Sequence, residues 1–114
     1  MPIQLTNPQA LSLWRNATEA MVRSNSPDLT QRQMAILLTV YLTPQPHTVR
    51  GLAARLEVTK PVVTRALDSL SVKGLIRRRR DEADKRNVLV ERTTAGSAYL
   101  TDLSNTLVQA GANS

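Results

Sequence analysis

The chain has 114 residues, enough for one domain of ordinary size with a modest core. It contains no cysteine and a single histidine, which excludes disulfides and thiolate chemistry and argues against a metal site. The net charge is +6, and the whole excess sits in one block: twelve cations against six acids from Thr48 to Arg92, three against three elsewhere. A basic block in an otherwise neutral chain is the electrostatic footprint of a polyanion binder.

No run approaches the roughly 18 apolar residues of a membrane span. The N-terminus also lacks a basic segment followed by an apolar stretch, so a soluble, cytoplasmic protein is expected. Apolar residues are mainly Leu, Val and Ala, and the aromatics are Trp14, Tyr41 and Tyr99. That composition predicts a mostly helical protein that draws on a partner chain to cover apolar surface.

Ile3 and Leu5 stand ahead of the first helix and are ordered only if something receives them. Asn7 and Pro8 form a cap and a first-turn proline, opening a helix over residues 8–23. Leu11, Trp14, Ala17 and Met21 make one apolar stripe on it, and Leu13, Ala17 and Ala20 a second. Two apolar faces need two surfaces to bury, one in the domain and one on a second subunit. Ser24 to Asp28 is a turn by composition. Thr30 and Gln33 then match a capping box, and the helix they open carries Met34, Leu37, Leu38, Tyr41 and Leu42 as its buried face before stopping at Pro44-Gln45-Pro46.

Thr48 caps a short helix with Val49, Leu52, Ala53 and Leu56 inward and Arg50 and Arg55 outward. His47, just before it, is expected to be a surface residue. After a tight turn at Glu57-Val58, Thr59 caps a second helix with Pro61 in its first turn. Val63, Leu67 and Leu70 fall on the buried stripe of that helix, with Val62 and Ala66 flanking it. Lys60, Pro61, Thr64 and Arg65 are left on another face, a mixture suited to base edges in a major groove. Two short helices joined in this way make a helix-turn-helix.

Lys73-Gly74 ends the second helix with a cation and a glycine. The period then changes to strand at Leu75 to Arg79, with a return at Asn87 to Arg92 and a polar tip between. Residues 48–92 thus read as a helix-turn-helix followed by a basic hairpin, a winged helix. A last helix over residues 94–110 carries Ala95, Tyr99, Leu103 and Leu107, and fraying is expected from Gly111. The expected fold is mostly α with a small β-hairpin wing: one winged helix-turn-helix domain over residues 1–114, with N- and C-terminal dimerisation helices.

Five segments carry a more specific signal: Thr48-Val49-Arg50-Gly51-Leu52-Ala53; Val63-Thr64-Arg65 with Asp68 and Leu70; Lys73-Gly74-Leu75-Ile76; Asp84-Lys85-Arg86; and Thr93-Thr94-Ala95-Gly96. In this order and spacing, over roughly Asp28 to Tyr99, they resemble the MarR family of bacterial winged-helix regulators. The resemblance implies a homodimer on a pseudo-palindromic operator, with reading helices in successive major grooves and wings in the flanking minor grooves. It also implies that Arg86 is the minor-groove probe and Asp84 its holder. The physics agrees, since a guanidinium is drawn to the negative potential of a narrow minor groove and a carboxylate beside it restricts its rotamers.

The expected DNA-contacting residues are Thr48, Arg50, Thr59, Lys60, Pro61, Val62, Thr64, Arg65, Arg77, Arg79, Asp84, Lys85 and Arg86. Strand alternation lets only part of Arg77 to Arg80 face one side, and such contacts to phosphate position without specifying. The expected dimer interface is Ile3, Leu5, Leu11, Trp14, Leu103 and Leu107. Asp81, Glu82 and Asp84 at the hairpin tip form an acidic cluster expected to be salt-bridged and wet rather than metal-binding.

The functional expectation is a sequence-specific regulator of transcription, a repressor, binding double-stranded DNA as a homodimer near the bacterial nucleoid. No cofactor, metal or membrane is called for, and nothing in the sequence supports a small-molecule effector. An architectural, nucleoid-type DNA binder and a winged-helix protein adaptor are the alternatives. An enzyme has no support, for there is no acid-base constellation and no glycine-rich phosphate loop.

Overall fold

A computed structural model describes residues 4–112. In chain order the elements are α1 (Asn7–Arg23), α2 (Gln31–Leu42), β1 (His47–Thr48), α3 (Val49–Leu56), α4 (Lys60–Val72), β2 (Ile76–Arg80), β3 (Val88–Arg92) and α5 (Thr94–Ala112). The chain divides into two compact units, Leu29–Ala98 and Met1–Asp28 with Tyr99–Ser114.

The unit Leu29–Ala98 holds the main core. α2 contributes Ile36, Leu37 and Val40, α3 contributes Leu52 and Ala53, α4 contributes Val63, Ala66, Leu67 and Leu70, and Leu75, Ile76 and Val90 come from the sheet and its approach. Each helix starts where its cap dictates. Thr30 and Gln33 close a capping box on α2, Thr48 Oγ1 accepts the Gly51 N–H at 2.9 Å, and Thr59 Oγ1 accepts the Val62 N–H at 3.4 Å. α2 turns its buried face slightly from the expected one: Ile36 and Val40 are fully enclosed, while Leu42, expected inside, is 74% exposed at the last helical position.

The sheet has three strands in the order β1-β3-β2, all antiparallel. The hairpin pairs Ile76 with Arg92, Arg77 with Glu91 and Arg78 with Val90. β1 is an addition to the expected hairpin: His47 and Thr48 pair with Val90 and Leu89. His47 is therefore a half-buried strand residue rather than a surface one. Its Nε2 lies 3.2 Å from both Thr43 Oγ1 and the Thr43 carbonyl. The Thr43 hydroxyl already donates to the Thr39 carbonyl at 2.6 Å, so both neighbours of Nε2 are acceptors and Nε2 carries the proton.

Tyr41 joins this core to the root of the hairpin. Its hydroxyl donates to the Leu75 carbonyl at 2.7 Å and accepts the Thr93 N–H at 2.8 Å, tying together the chain just before β2 and just after β3. Gly96 sits where a Cβ would overlap both the Tyr41 hydroxyl and the Leu75 carbonyl, so only glycine fits this first turn of α5. Arg92 donates from Nε to the Val40 carbonyl at 2.9 Å and from Nη2 to the Thr43 carbonyl at 3.0 Å, and its guanidinium lies 5.9 Å from the Tyr41 ring centroid. α2 has no basic residue in its own last turn, and Arg92 supplies the cation that its C-terminal carbonyls favour.

In the unit Met1–Asp28 with Tyr99–Ser114, α1 begins one residue earlier than expected. Thr6 is its cap, and Thr6 and Gln9 close a capping box at 3.2 and 2.9 Å, leaving Asn7 inside the helix. Ala17 and Ala110 are buried. Leu11 and Trp14 are exposed, at 71% and 56%, as are Leu5 and Leu107, while Leu103 is half-buried. Ile3 lies outside the described residues. α5 continues through Gly111 to Ala112 instead of fraying there, and Ala95, expected on its packed stripe, is exposed.

Candidate nucleic-acid interface

The helix-turn-helix is α3 and α4 joined at Glu57 to Thr59. Glu57 takes a left-handed conformation, with φ of 55°, which reverses the chain within three residues. Along α4 the buried stripe leaves Lys60, Pro61, Thr64, Arg65 and Asp68 exposed on one face, with Val62 half-buried at its edge. Arg50 on α3 is exposed too. Neither Lys60 nor Arg65 has a carboxylate within ion-pair distance among the described residues. Their charges are uncommitted. Thr48 and Thr59 use their oxygens as caps and keep a hydroxyl hydrogen each.

The wing divides its arginines by strand alternation. Arg77 and Arg79 share the outer face with Glu91: Arg77 Nη2 donates to Glu91 Oε1 at 3.2 Å, and Arg79 donates from Nε and Nη2 to Oε2 at 3.1 and 2.9 Å. Arg78 points the other way and pairs with Asp68 of α4 at 2.7 Å, tying the wing to that helix. Arg92, counted in the basic block, is occupied at the end of α2. The charge block therefore overstates the free cations, because several of its members are structural.

At the tip, Arg86 grips Asp84 with two parallel bonds, Nε to Oδ1 at 3.0 Å and Nη2 to Oδ2 at 2.9 Å, and its backbone N–H adds a third at 3.1 Å. This bidentate geometry fixes the guanidinium plane. Hydrogen bonding by Arg86 holds the Asp84 carboxyl below the usual carboxylate range, with a smaller pull from Arg50. Lys85 is exposed beside them. Asp81 accepts the Ala83 N–H at 2.9 Å in a local turn. Among the described residues no group of three His, Asp or Glu side chains is placed to hold a metal ion, and no helix is long and apolar enough to cross a membrane.

Sequence reasoning singled out Asp68 but gave no pairing role to either of the two acids that organise the wing, Glu91 and Asp68. The pairing of Glu91 could have been found by counting outward from the hairpin tip, since register alone sets that residue opposite Arg77. That of Asp68 with Arg78 could not, because it needs the packing angle between α4 and the sheet.

A sequence model of the MarR family matches residues 29–88, more than half of the chain. The chain belongs to the MarR family. Solved MarR-family structures carry the same fold. The crystal structure of the regulator BldR from Sulfolobus solfataricus is 31% identical, with 88% of this chain and 68% of that one covered and a TM-score of 0.65. The Staphylococcus aureus MepR–DNA complex is 25% identical, with 88% and 79% covered and a TM-score of 0.73. The YusO protein of Bacillus subtilis, at 24% identity, 93% and 74% coverage and a TM-score of 0.76, adds support for the fold alone. No curated protein sequence matches significantly. Membership in the MarR family places the chain among non-enzymatic, DNA-binding transcriptional regulators.

Proposed function

We propose that this MarR-family protein is a sequence-specific repressor that binds a pseudo-palindromic operator in double-stranded DNA as a homodimer. The observation that carries the reading is the pairing of two exposed features in one unit: the uncommitted Lys60, Thr64 and Arg65 face of α4, and a wing tip on which Asp84 holds Arg86 in one orientation. Arg65 and Lys60 reach base edges or flanking phosphates, and Pro61 and Val62 offer apolar contact to thymine methyls. Arg86, with Lys85 beside it, enters the adjacent minor groove. Arg50, Thr48 and Thr59, at two helix starts, and Arg77 and Arg79 on the wing contact phosphate.

Dimerisation rests on the exposed Leu5, Leu11, Trp14 and Leu107, with Leu103 at the edge, a larger set of apolar side chains than a small soluble unit leaves in water without a partner. MepR was crystallised as a complex with DNA, which supports the same ligand here.

Selection of bound sequences from a random duplex pool, followed by footprinting, tests the proposal. An inverted repeat with half-sites about one helical turn apart is the expected result. Enrichment of no sequence overturns it in favour of an architectural binder, and no binding of duplex at all in favour of a protein adaptor. Sedimentation at micromolar concentration without DNA should give a dimer, and a monomer refutes that part.

A further inference from the structure

Glu91 stands out among the wing acids because one carboxylate serves two arginines. It lies directly across the ladder from Arg77 and diagonal to Arg79, and each of its oxygens is given to a different guanidinium. The Glu91 side chain is only 23% exposed, while Arg77 and Arg79 remain 71% and 53% exposed above it. Arginine has five N–H donors. One of Arg77 and two of Arg79 are spent on Glu91, leaving both with donors turned to solvent.

The outer wing face is thus a preassembled pair of guanidinium groups in fixed positions, with half of its charge cancelled. Hydrogen bonding from Arg79 keeps the Glu91 carboxyl below its ordinary range, so the arrangement persists at neutral pH.

We propose that Glu91 is a positioning residue for DNA binding: it locks Arg77 and Arg79 into one two-guanidinium clamp for the phosphate backbone and, by neutralising one of their two charges, holds down binding to random sequence. The inference rests on the DNA-binding reading above and deepens it. Unpaired, two flexible arginines gather phosphates in many registers. Held by Glu91, they fit the backbone in one register, the one that the reading helix and the wing tip also require.

The test compares Glu91→Gln with wild type on a duplex selected from a random pool and on random-sequence duplex, across a salt series. Glutamine keeps the size and one acceptor of Glu91, so the hairpin closes, which circular dichroism checks. Freeing the one neutralised charge should steepen the slope of log K against log salt on random duplex by about 1, and the added phosphate contact should tighten random binding about fivefold at physiological salt. Affinity for the selected duplex should rise less, so the ratio of the two should fall.

In an Arg77→Gln, Arg79→Gln background, Glu91→Gln should then have no further effect. An unchanged slope and ratio would show that Glu91 merely closes the hairpin, overturning the clamp. The same increment in the double-arginine background would show that the carboxylate acts only through its own charge, and would overturn it as well. If wild-type protein shows no salt-dependent binding to either duplex, the DNA-binding reading fails and takes the clamp with it. Normal wild-type binding with an unmoved variant defeats the clamp alone.

Discussion

Tyr41→Phe isolates one hydroxyl at the junction between α2 and the wing root. Phenylalanine keeps the ring and its packing against Arg92, whose guanidinium lies 5.9 Å from the ring centroid. What is lost are the bonds to the Leu75 carbonyl at 2.7 Å and from the Thr93 N–H at 2.8 Å. Both partners, the Leu75 carbonyl and the Thr93 N–H, then lose that hydroxyl in a partly buried setting. An unpaired group of this kind costs about 1 to 3 kcal/mol, and partial burial puts the pair together near 2 to 3 kcal/mol. With an unfolding entropy of about 2.1 cal/mol/K per residue, a chain of this length should melt about 10 °C lower. Thermal melts followed by circular dichroism, at one fixed protein concentration because association shifts the midpoint, make the measurement. A drop of under about 2 °C would mean that solvent satisfies both groups, and the account of Tyr41 as the tie between helix and wing would be wrong.

Gly96→Ala should be at least as damaging as Tyr41→Phe, because the new methyl meets a backbone carbonyl as well as the Tyr41 hydroxyl. Combined with Tyr41→Phe it should cost less than the sum, since the deleted oxygen makes room. Strict additivity of the two melting shifts would mean that the hydroxyl has no part in the clash, leaving it to the Tyr41 ring carbon and the Leu75 carbonyl. Arg65→Ala should lose about 1 to 3 kcal/mol at one preferred base pair in competition binding, whereas equal losses on selected and random duplex would reduce Arg65 to a phosphate contact. Arg86→Ala should weaken binding most when the operator flanks are A·T-rich, and indifference to flank sequence would exclude the minor-groove role. Asp84 has a depressed folded-state pKa, so its pairing contributes stability above its unfolded value and loses it as pH falls through the folded one. The difference between wild type and Asp84→Asn should therefore be constant through neutral pH and shrink only in acid, and a difference that vanishes near neutrality contradicts the pairing.

Local chemistry made most of the reading unit legible. The caps at Thr30, Thr48 and Thr59 and the Lys73-Gly74 stop are short-range signals, and the helix boundaries follow them. The exposed face of α4 was legible for the same reason, since helical period alone separates Lys60, Pro61, Thr64 and Arg65 from Val63, Leu67 and Leu70. The Thr6-Gln9 box carried the same signal as Thr30-Gln33, but the neighbouring Asn7-Pro8 pair looked like an equally good start. β1 left no trace because two residues have no period, and its pairing with β3 depends on tertiary contact. Leu42 misled because apolar spacing near a helix end says nothing about where the neighbouring core stops. The occupations of Arg78, Arg92 and Glu91 were hidden most deeply, since each depends on a partner that lies close only after folding.

Thr48 belongs at once to the outermost strand of the wing and to the cap of the first helix of the reading head. The hairpin is consequently fastened along its base and free only at its far end, so any movement that splays it must also drag α3. Such a part behaves like a caliper with a welded jaw: the gap between helix and wing is set during folding, and adaptation to a target is left to residues 81–87. A graft meant to transplant this recognition module to another scaffold should carry residues 47–92 as one piece, together with the α2 segment that Arg92 holds.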